Sequence, residues 1–271
     1  MGLVPPRKGK KDSTSIILWR RGASNVKITA RSKTEYVKIG LFQVVFRYLI
    51  LYLLIAMKKS LLVSPRAGYK LWAATYDDGF NPARDLDAVV VKKLFRNARL
   101  GMVLEFGCGT GKNTRVYARI ARHLLALDSS AAMLEQATKN VRQTNIEFHR
   151  ADIRKRWPAA SGSIDLVACS LILEHVRNLD HVFNEVRRCL RPGGRLFISE
   201  FHPYKQLEGK KAKFETQGKT MLIQAFQHHV SEFLAAGKQS GLELTELHEW
   251  WHKKDKGRAP RLLTLMFTRK R

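Results

Sequence analysis

The chain has 271 residues, of which 49 are Lys or Arg and 23 are Asp or Glu, so its formal net charge is +26. This length accommodates one domain of about 200 residues with an appendage. Its three cysteines, Cys108, Cys169 and Cys189, are odd in number and far apart, which argues against a disulfide framework or a metal site and favours a reducing, cytoplasmic setting.

The excess of positive charge runs along the whole sequence. A basic surface can steer nucleic acid, anionic lipid or an acidic substrate towards a protein. A host proteome with a high average pI explains the same charge equally well. Because the sequence contains neither an RNA-binding module nor an aromatic-basic repeat, nucleic acid is not the expected partner.

The first 60 residues form an extension with two different halves. Residues 1–38 are basic and lack an apolar period, which predicts disorder. Residues 39–57 are mostly apolar but contain Arg47, and about 20 residues are needed to span a bilayer. Three explanations stay open: a start site assigned too early, with Met57 as the true start; a helix that contacts the membrane surface; and a signal peptide. The main domain is expected at 61–271.

Two helices are predicted before the first strand of this domain. Tyr69, Trp72 and Tyr76 recur with the spacing of one helix face, either as core residues or as part of a lid. Asn81 and Pro82 are suited to the N-cap and first position of a second helix. The residues expected to face the core from this helix are Leu86, Val89, Val90 and Leu94.

A short apolar run, Met102 to Phe106, then leads into three glycines on alternate positions, Gly107, Gly109 and Gly111. This pattern predicts a strand that enters a tight turn, at which the backbone approaches a nucleotide-like ligand closely. The dinucleotide fingerprint needs a glycine where Lys112 stands, and a phosphate-binding P-loop needs Ser or Thr where Asn113 stands. An acidic residue before Gly-x-Gly-x-Gly, here Glu105, resembles motif I of the class I S-adenosylmethionine-dependent methyltransferases.

The next two strands each end near an aspartate. Asp128 follows a strand at Leu124–Leu127, where a carboxylate can accept both ribose hydroxyls of a nucleoside. Asp152 follows a strand at Ile146–His149 and resembles the family residue that binds the adenine amino group. Tyr76, followed by Asp77, resembles the lid over the cofactor in small-molecule members of the family.

Later motifs extend the resemblance over residues 69–271. The segment from Ser170 to Val176, after a buried strand at Ile164–Ser170, is similar to that of ubiquinone and menaquinone methyltransferases, and it places His175 near the site or under the turn. A Leu-Arg-Pro-Gly-Gly sequence precedes the fifth strand, as it does elsewhere in the superfamily. The Asn-Pro-Pro-Tyr motif of methyltransferases that modify nucleic acids or glutamine side chains is absent from the sequence.

An insertion follows the fifth strand and contains a predicted hairpin, with strands at Lys213–Thr216 and Thr220–Gln224. Ligands bind beyond the carboxyl ends of the strands in this architecture, so the insertion is expected to cap the acceptor pocket. His202 and His229 are the proposed general bases, and both are alternatively surface residues. The compatible acceptors include a quinone ring, a fatty acyl carboxylate and an amine.

Together these features predict a doubly wound, Rossmann-like α/β fold. Its sheet should have seven mostly parallel strands, with the last one antiparallel. The expected function is transfer of a methyl group from S-adenosylmethionine to a small molecule, with membrane contact through 39–57 as an option. The alternatives are an RNA methyltransferase, a non-catalytic nucleoside-binding protein and, with less support, a nicotinamide-dependent oxidoreductase. No metal is expected.

Overall fold

The computed structural model describes residues 14–18, 26–30, 47, 60–255 and 257–271. The chain separates into two compact units, Met1–Lys59 and Ser60–Arg271. In the first unit, β1 (Thr14–Leu18) pairs with β2 (Val26–Ala30) as an antiparallel ribbon. Disorder was expected throughout 1–38, and for these two ranges that prediction is wrong, because both are rich in β-branched residues, which favour strands. The apolar segment 39–57 lies outside the described residues except for Arg47.

The second unit contains seven α-helices among its described residues. They are α1 (Pro65–Trp72), α2 (Pro82–Phe95), α3 (Thr114–Ile120), α4 (Ala131–Asn140), α5 (Asp180–Cys189), α6 (Pro203–Leu207) and α7 (Val230–Gln239). None of the helices in the described ranges combines the length and apolar character needed to cross a bilayer. Short 3₁₀ turns occur at Ala73–Thr75, Leu173–His175 and Lys253–Asp255.

Seven strands form the central sheet of this unit. They are β4 (Leu100–Phe106), β5 (Ala121–Asp128), β6 (Ile146–Arg150), β7 (Ile164–Ser170), β8 (Leu190–Phe201), β11 (Leu242–Trp250) and β12 (Leu262–Arg269). Their order is β11-β12-β8-β7-β4-β5-β6, and β12 alone runs antiparallel to its neighbours β8 and β11. The predicted doubly wound fold, with its antiparallel last strand, is therefore confirmed.

The strand order places a crevice at the carboxyl ends of β4 and β7. From β4 the chain moves outward through β5 to β6, and it then returns to β7 on the other side of β4. Ligands of open α/β sheets bind at such a reversal of strand order. The site of interest is therefore expected where β4 and β7 end.

Apolar clusters cover both faces of the sheet. On β4, Leu104 and Phe106 belong to the cluster that contains Phe183 of α5, whereas Val103 belongs to the cluster that contains Phe95 of α2. This division follows from the alternation of side chains along a strand. It also directs Glu105, between Leu104 and Phe106, to the same face as Val103.

Helix α2 differs from its prediction in the residues that it buries. Asn81 caps the helix as expected, since its Oδ1 accepts hydrogen bonds of 3.1 Å from the amides of Ala83 and Arg84. Val89, however, is 63% exposed, and the buried face includes the polar residues Arg84 and Asp87. The apolar face that was predicted for this helix is wrong in part, because polar side chains with tertiary partners occupy positions of its core face.

The insertion after β8 contains the predicted hairpin, formed by β9 (Lys213–Thr216) and β10 (Lys219–Ile223). Gln217 and Gly218 make the turn with φ values of 48° and 71°, as a two-residue hairpin loop requires. β10 also pairs in parallel with β3 (Leu61–Val63), which the sequence did not predict. Residues near the start of the second unit therefore support the insertion.

Candidate functional site

A cavity of about 980 Å³ opens at the carboxyl ends of the central strands. The loop after β4, the end of β5, the segment after β6 and the turn after β7 contribute to its lining, together with the start of α1 and residues Gln224 and Phe226. The volume is within the usual range for a pocket that binds a small molecule or cofactor. The cavity lies at the reversal of strand order.

The glycine loop forms one wall of this cavity. Gly107 and Gly111 have φ values of 78° and 88°, and a Cβ atom at either would lie within 2.6 Å of a neighbouring side chain. Gly109 has a φ of 54°, and a Cβ added to it would meet no atom within 4 Å. The loop thus needs glycine for its fold at two positions, while at Gly109 the backbone is open to a ligand.

Asp128 closes the loop from the end of β5. Its Oδ2 accepts a hydrogen bond of 3.0 Å from the amide of Gly109, and its Oδ1 accepts one of 2.8 Å from the amide of Ser130. Asp128 also lines the cavity, and a carboxylate has about four acceptor positions, so it can accept further hydrogen bonds from a ligand there. Burial raises the pKa of Asp128, while these backbone donors oppose the shift. The arrangement fits a nucleoside with paired hydroxyls.

Glu105 lies deeper and is 4% exposed. Its Oε2 accepts a hydrogen bond of 2.6 Å from the hydroxyl of Thr114, the first residue of α3. Burial raises the pKa of Glu105 to about 8. Glu105 therefore lines the cavity from beneath the glycine loop and is tied to the helix that follows it.

Asp152 lines the cavity on the wall that follows β6. Arg154 donates to both of its carboxylate oxygens, at 2.9 and 2.7 Å, and this pairing lowers the pKa of Asp152. Ala151 and Ile153 line the same wall. Asp152 thus lines the cavity after β6, and the guanidinium of Arg154 fixes its orientation.

An aromatic group covers the cavity from α1. Tyr69 stacks on Trp72 with ring centroids 6.2 Å apart, and Tyr76 meets Trp72 edge-on at 4.9 Å. Tyr69 and Tyr76 both line the cavity, and burial raises the pKa of each hydroxyl. The guanidinium of Arg84 lies 5.3 Å from the ring centroid of Tyr76 and also bonds the Tyr76 carbonyl. Tyr76 is therefore held at the cavity by its contacts with Trp72 and Arg84, and its role as a lid stays a prediction.

His175 is the histidine that lines the cavity. Its Nε2 lies 2.9 Å from the hydroxyl of Tyr69, and its Nδ1 lies 2.8 Å from the carbonyl of Gln224. A carbonyl only accepts, so Nδ1 carries a hydrogen, and in the neutral ring Nε2 accepts from Tyr69. Sequence analysis noted His175 but did not choose it as a base.

The structure does not bring His202 or His229 to the cavity lining. His202 is 1% exposed and caps α6, where its Nδ1 accepts from the amide of Tyr204 and its Nε2 lies 2.9 Å from Glu249. His229 is exposed at the start of α7, next to His228, which bonds Glu232 and the Val176 carbonyl. The prediction of these two bases is therefore not supported by the lining of the cavity: His202 follows β8 but is engaged by Glu249 and Tyr204, and His229 closes the insertion at an exposed position.

Glu200 organises the turn that carries His175. The backbone amides of Ile172, Leu173 and Glu174 donate to its carboxylate, at distances of 3.0, 2.7 and 3.4 Å. Burial, followed by the nearby Glu174 charge, raises the pKa of Glu200 to about 8. Leu171, with a φ of 53°, begins the same turn. A buried carboxylate at the end of β8 thereby holds the strained turn after β7.

The two phenylalanines of the insertion have different surroundings. Phe214 stacks on Trp72 with centroids 5.0 Å apart and belongs to a small buried cluster with Met221 and Ile223. Phe226 lines the cavity, and its amide donates to the Glu174 carbonyl at 2.6 Å. The insertion reaches the cavity through Phe226, whereas Phe214 supports the aromatic group of α1.

Comparison with known proteins shows that residues 104–198 match the methyltransferase domain family. An uncharacterized methyltransferase of Emericella nidulans, AN0656, is 27% identical over 222 residues, covering 66% of this chain and 76% of its own. A malonyl-[acyl-carrier protein] O-methyltransferase of a Paenibacillus species is 27% identical over 190 residues, covering 66% of this chain and 64% of its own. A crystal structure of an S-adenosylmethionine dependent methyltransferase from Mesorhizobium loti superposes with a TM-score of 0.56 at 22% identity, covering 67% of this chain and 96% of that one.

Proposed function

The chain belongs to the class I S-adenosylmethionine-dependent methyltransferases, and we propose that its cavity holds this cofactor beside a small-molecule acceptor. The observation that carries the proposal is the carboxylate of Asp128, which closes the glycine loop and lines the cavity. The cavity volume of about 980 Å³ leaves room for a second small molecule next to a nucleoside.

We assign the cofactor-contacting roles to residues on one side of the cavity. Asp128 would accept the ribose hydroxyls, and the backbone at Gly109 would approach the amino-acid part of the cofactor. Asp152 would accept from the adenine amino group, and Tyr76 would cover the cofactor from above. The other residues of this set support the loop: Glu105, Gly107 and Gly111.

Methyl transfer from this cofactor mainly requires the protein to position the acceptor next to the methyl group. When bound, S-adenosylmethionine supplies an electrophilic methyl group on a positively charged sulfur. Side chains of this chain would align the acceptor with that methyl group and keep water out, which can contribute a large part of a rate enhancement. Tyr69, Tyr76 and Phe226 provide the apolar surfaces for this.

The acceptor class is taken as a small molecule. The resemblance to quinone methyltransferases describes one subgroup, whereas the Paenibacillus relative is named for an acyl carrier protein substrate. The resemblance and this relative both indicate methyl transfer, and this sequence lacks the Asn-Pro-Pro-Tyr motif of methyltransferases that modify nucleic acids. The chain spans 76% and 64% of the lengths of these two relatives.

Calorimetry with S-adenosylmethionine and, separately, with NAD tests the proposal. We expect binding of S-adenosylmethionine and of its demethylated product, S-adenosylhomocysteine, and no binding of NAD. Preferential binding of NAD, or binding of neither compound, would contradict it.

A further inference from the structure

One side of the cavity carries positive charge that no acidic side chain offsets. Arg66 lies in the first turn of α1 and Arg177 follows the turn after β7, and both line the cavity. Within the described residues neither guanidinium forms an ion pair. Arg84, Lys112 and Arg154 of the same cavity each pair with an aspartate, whereas Arg150, Lys155 and Arg156, on the wall after β6, also lack an ion pair among the described residues. Cations without partners attract an anion into a cleft.

Arg66 and Arg177 belong to a common wall, which we call the acceptor wall: Pro65, Arg66, Tyr69, His175, Arg177, Gln224 and Phe226. Backbone contacts hold it together, since the amide of Gln224 donates to the Val63 carbonyl at 2.9 Å. The guanidinium carbon of Arg177 lies 6.0 Å from the ring centroid of Phe226. The wall thus offers a cation next to an aromatic surface.

The acceptor wall has no vacant base. Both ring nitrogens of His175 are engaged, one by the Tyr69 hydroxyl and the other by the Gln224 carbonyl. Burial raises the pKa of Tyr69 well above 10, so its hydroxyl keeps its proton near neutral pH. An acceptor that must lose a proton before methylation finds no partner here.

The carboxylates that line the cavity lie outside this wall, and each already accepts a hydrogen bond from the protein. Glu105 accepts from Thr114, Asp128 from two amides and Asp152 from Arg154. Asp87 accepts from Asn113 through Oδ2, while its buried Oδ1 has no partner among the described residues. Cys108, buried in the glycine loop, has a pKa raised by burial and is a neutral thiol. The acceptor wall itself, where Tyr69 and His175 are the titratable groups apart from the two arginines, is therefore suited to an acceptor that is ionised before it binds.

We propose that the acceptor is a carboxylate, held by Arg66 and Arg177, and that the product is its methyl ester. The inference rests on the proposed function. A bond forms between one carboxylate oxygen and the methyl carbon, while the bond between that carbon and sulfur breaks and leaves its electron pair on sulfur. The negative charge of the acceptor and the positive charge of the sulfonium cancel, and no proton moves. A carboxylate is fully ionised at neutral pH, so the absence of a vacant base carries no penalty.

The test compares acids with their neutral amides in the presence of S-adenosylhomocysteine. Octanoate, succinate and benzoate, each beside its primary amide, are titrated calorimetrically into the full chain. We expect at least one acid to bind about tenfold more tightly than its amide, since hydrogen bonds to a charged group are the stronger ones. If no acid binds more tightly than its amide, the proposal is overturned.

Two double variants locate the preference. Arg66→Gln with Arg177→Gln should abolish the difference between acid and amide, with binding of S-adenosylhomocysteine unchanged. Arg119→Gln with Arg142→Gln removes the same charge from exposed positions outside the cavity and should keep the preference. If both double variants lose the preference for the acid to the same extent, the preference comes from the net charge of the protein. That result would overturn the role of Arg66 and Arg177.

The product supplies a second readout. With labelled S-adenosylmethionine and the preferred acid, the label should be released as methanol by alkali, as it is from an ester. Label that survives alkali would indicate methylation at carbon, nitrogen, sulfur or an ether oxygen and would contradict the proposal. A chain that does not bind S-adenosylhomocysteine at all would instead refute the proposed function.

Discussion

The hydroxyl of Tyr69 lies 2.9 Å from Nε2 of His175, and this contact joins α1 to the turn after β7. Each of the changes Tyr69→Phe and His175→Gln removes one partner of this hydrogen bond. We therefore expect each change to lower the free energy of unfolding. A double-mutant cycle measured by urea denaturation should give a coupling of about 0.5–1.5 kcal/mol. Additive effects of the two changes would show that the contact contributes nothing to stability.

Asp128 is predicted to hold the ribose of the cofactor. Asp128→Ala removes a pair of hydrogen bonds to a charged acceptor, each worth about 1.5–3 kcal/mol, so affinity for S-adenosylmethionine should fall at least about tenfold. Asp128→Asn keeps an oxygen that can accept from the amide of Gly109, so the glycine loop should stay in place. This variant therefore shows whether affinity is lost through the loop or through the contact with the cofactor. Asp78→Ala, at an exposed position, is the control and should bind as the parent does. Parent-like affinity in Asp128→Ala, measured by calorimetry, would refute the assignment.

The two phenylalanines of the insertion should respond differently to truncation. Phe226→Ala is expected to raise KM for the acceptor, with cofactor affinity and thermal stability nearly unchanged. Phe214→Ala removes the stacking on Trp72 and should lower the free energy of unfolding by about 3–5 kcal/mol, as expected for a buried aromatic residue. Steady-state kinetics and thermal unfolding of both variants make the comparison. Similar changes in both would show that the insertion acts as one structural unit.

Glu200 should make stability decline as pH rises. Burial and the Glu174 charge raise its pKa from 4.5 to about 8. In the window between these values the folded protein holds a proton that the unfolded chain has released, so the free energy of unfolding falls as pH increases. Glu200→Gln resembles the protonated form and keeps an acceptor for the amides of Ile172 and Leu173.

The measurement is urea unfolding of the parent and of Glu200→Gln between about pH 5 and about pH 9. The variant should show a smaller decline than the parent. Some decline should persist in the variant, because burial also raises the pKa of Glu105 to about 8. Glu243→Gln, at an exposed position, should follow the parent curve. An unchanged decline in Glu200→Gln would mean that Glu200 is ionised throughout this window.

Residues 1–56 are predicted to be dispensable for methyl transfer. A chain that begins at Met57 keeps β3, whose residues Leu61–Val63 pair with β10, and it should bind S-adenosylmethionine as the full chain does. A chain that begins at Pro65 loses β3 and the Ser64 cap of α1, so it should be less stable and turn over its acceptor poorly. Loss of cofactor affinity in the chain that begins at Met57 would show that the extension contributes to the site.

The sequence determined the architecture because the relevant signals are local. The apolar run before Gly107 and the cap Asn81 depend on neighbours within a few residues, and each lies where it was predicted. The glycine pattern and Asp128 also depend on strand order, which follows the general rules of parallel sheets. For this reason the fold and the wall with the glycine loop could be derived before the structure.

Local signals failed where a partner comes from a distant part of the chain. Apolar spacing placed Val89 on the core face of α2, yet Asp87 is buried instead, and the side chain of Asn113 donates to its Oδ2. His202 follows β8 directly, but its bond with Glu249 of β11 holds it away from the cavity. The position of a residue after a strand predicts where its backbone lies, whereas the contacts of its side chain determine where that side chain points.

The acceptor wall was decided by tertiary structure alone. Arg66, Arg177 and Phe226 lie on three segments that are far apart in the sequence, and none carries a motif. They share a wall because β3 pairs with β10 and because Glu200 fixes the turn after β7. The absence of a vacant base likewise became visible only when the Tyr69 hydroxyl and the Gln224 carbonyl met the ring of His175. Such complementarity depends on distances between segments, which a linear pattern does not encode.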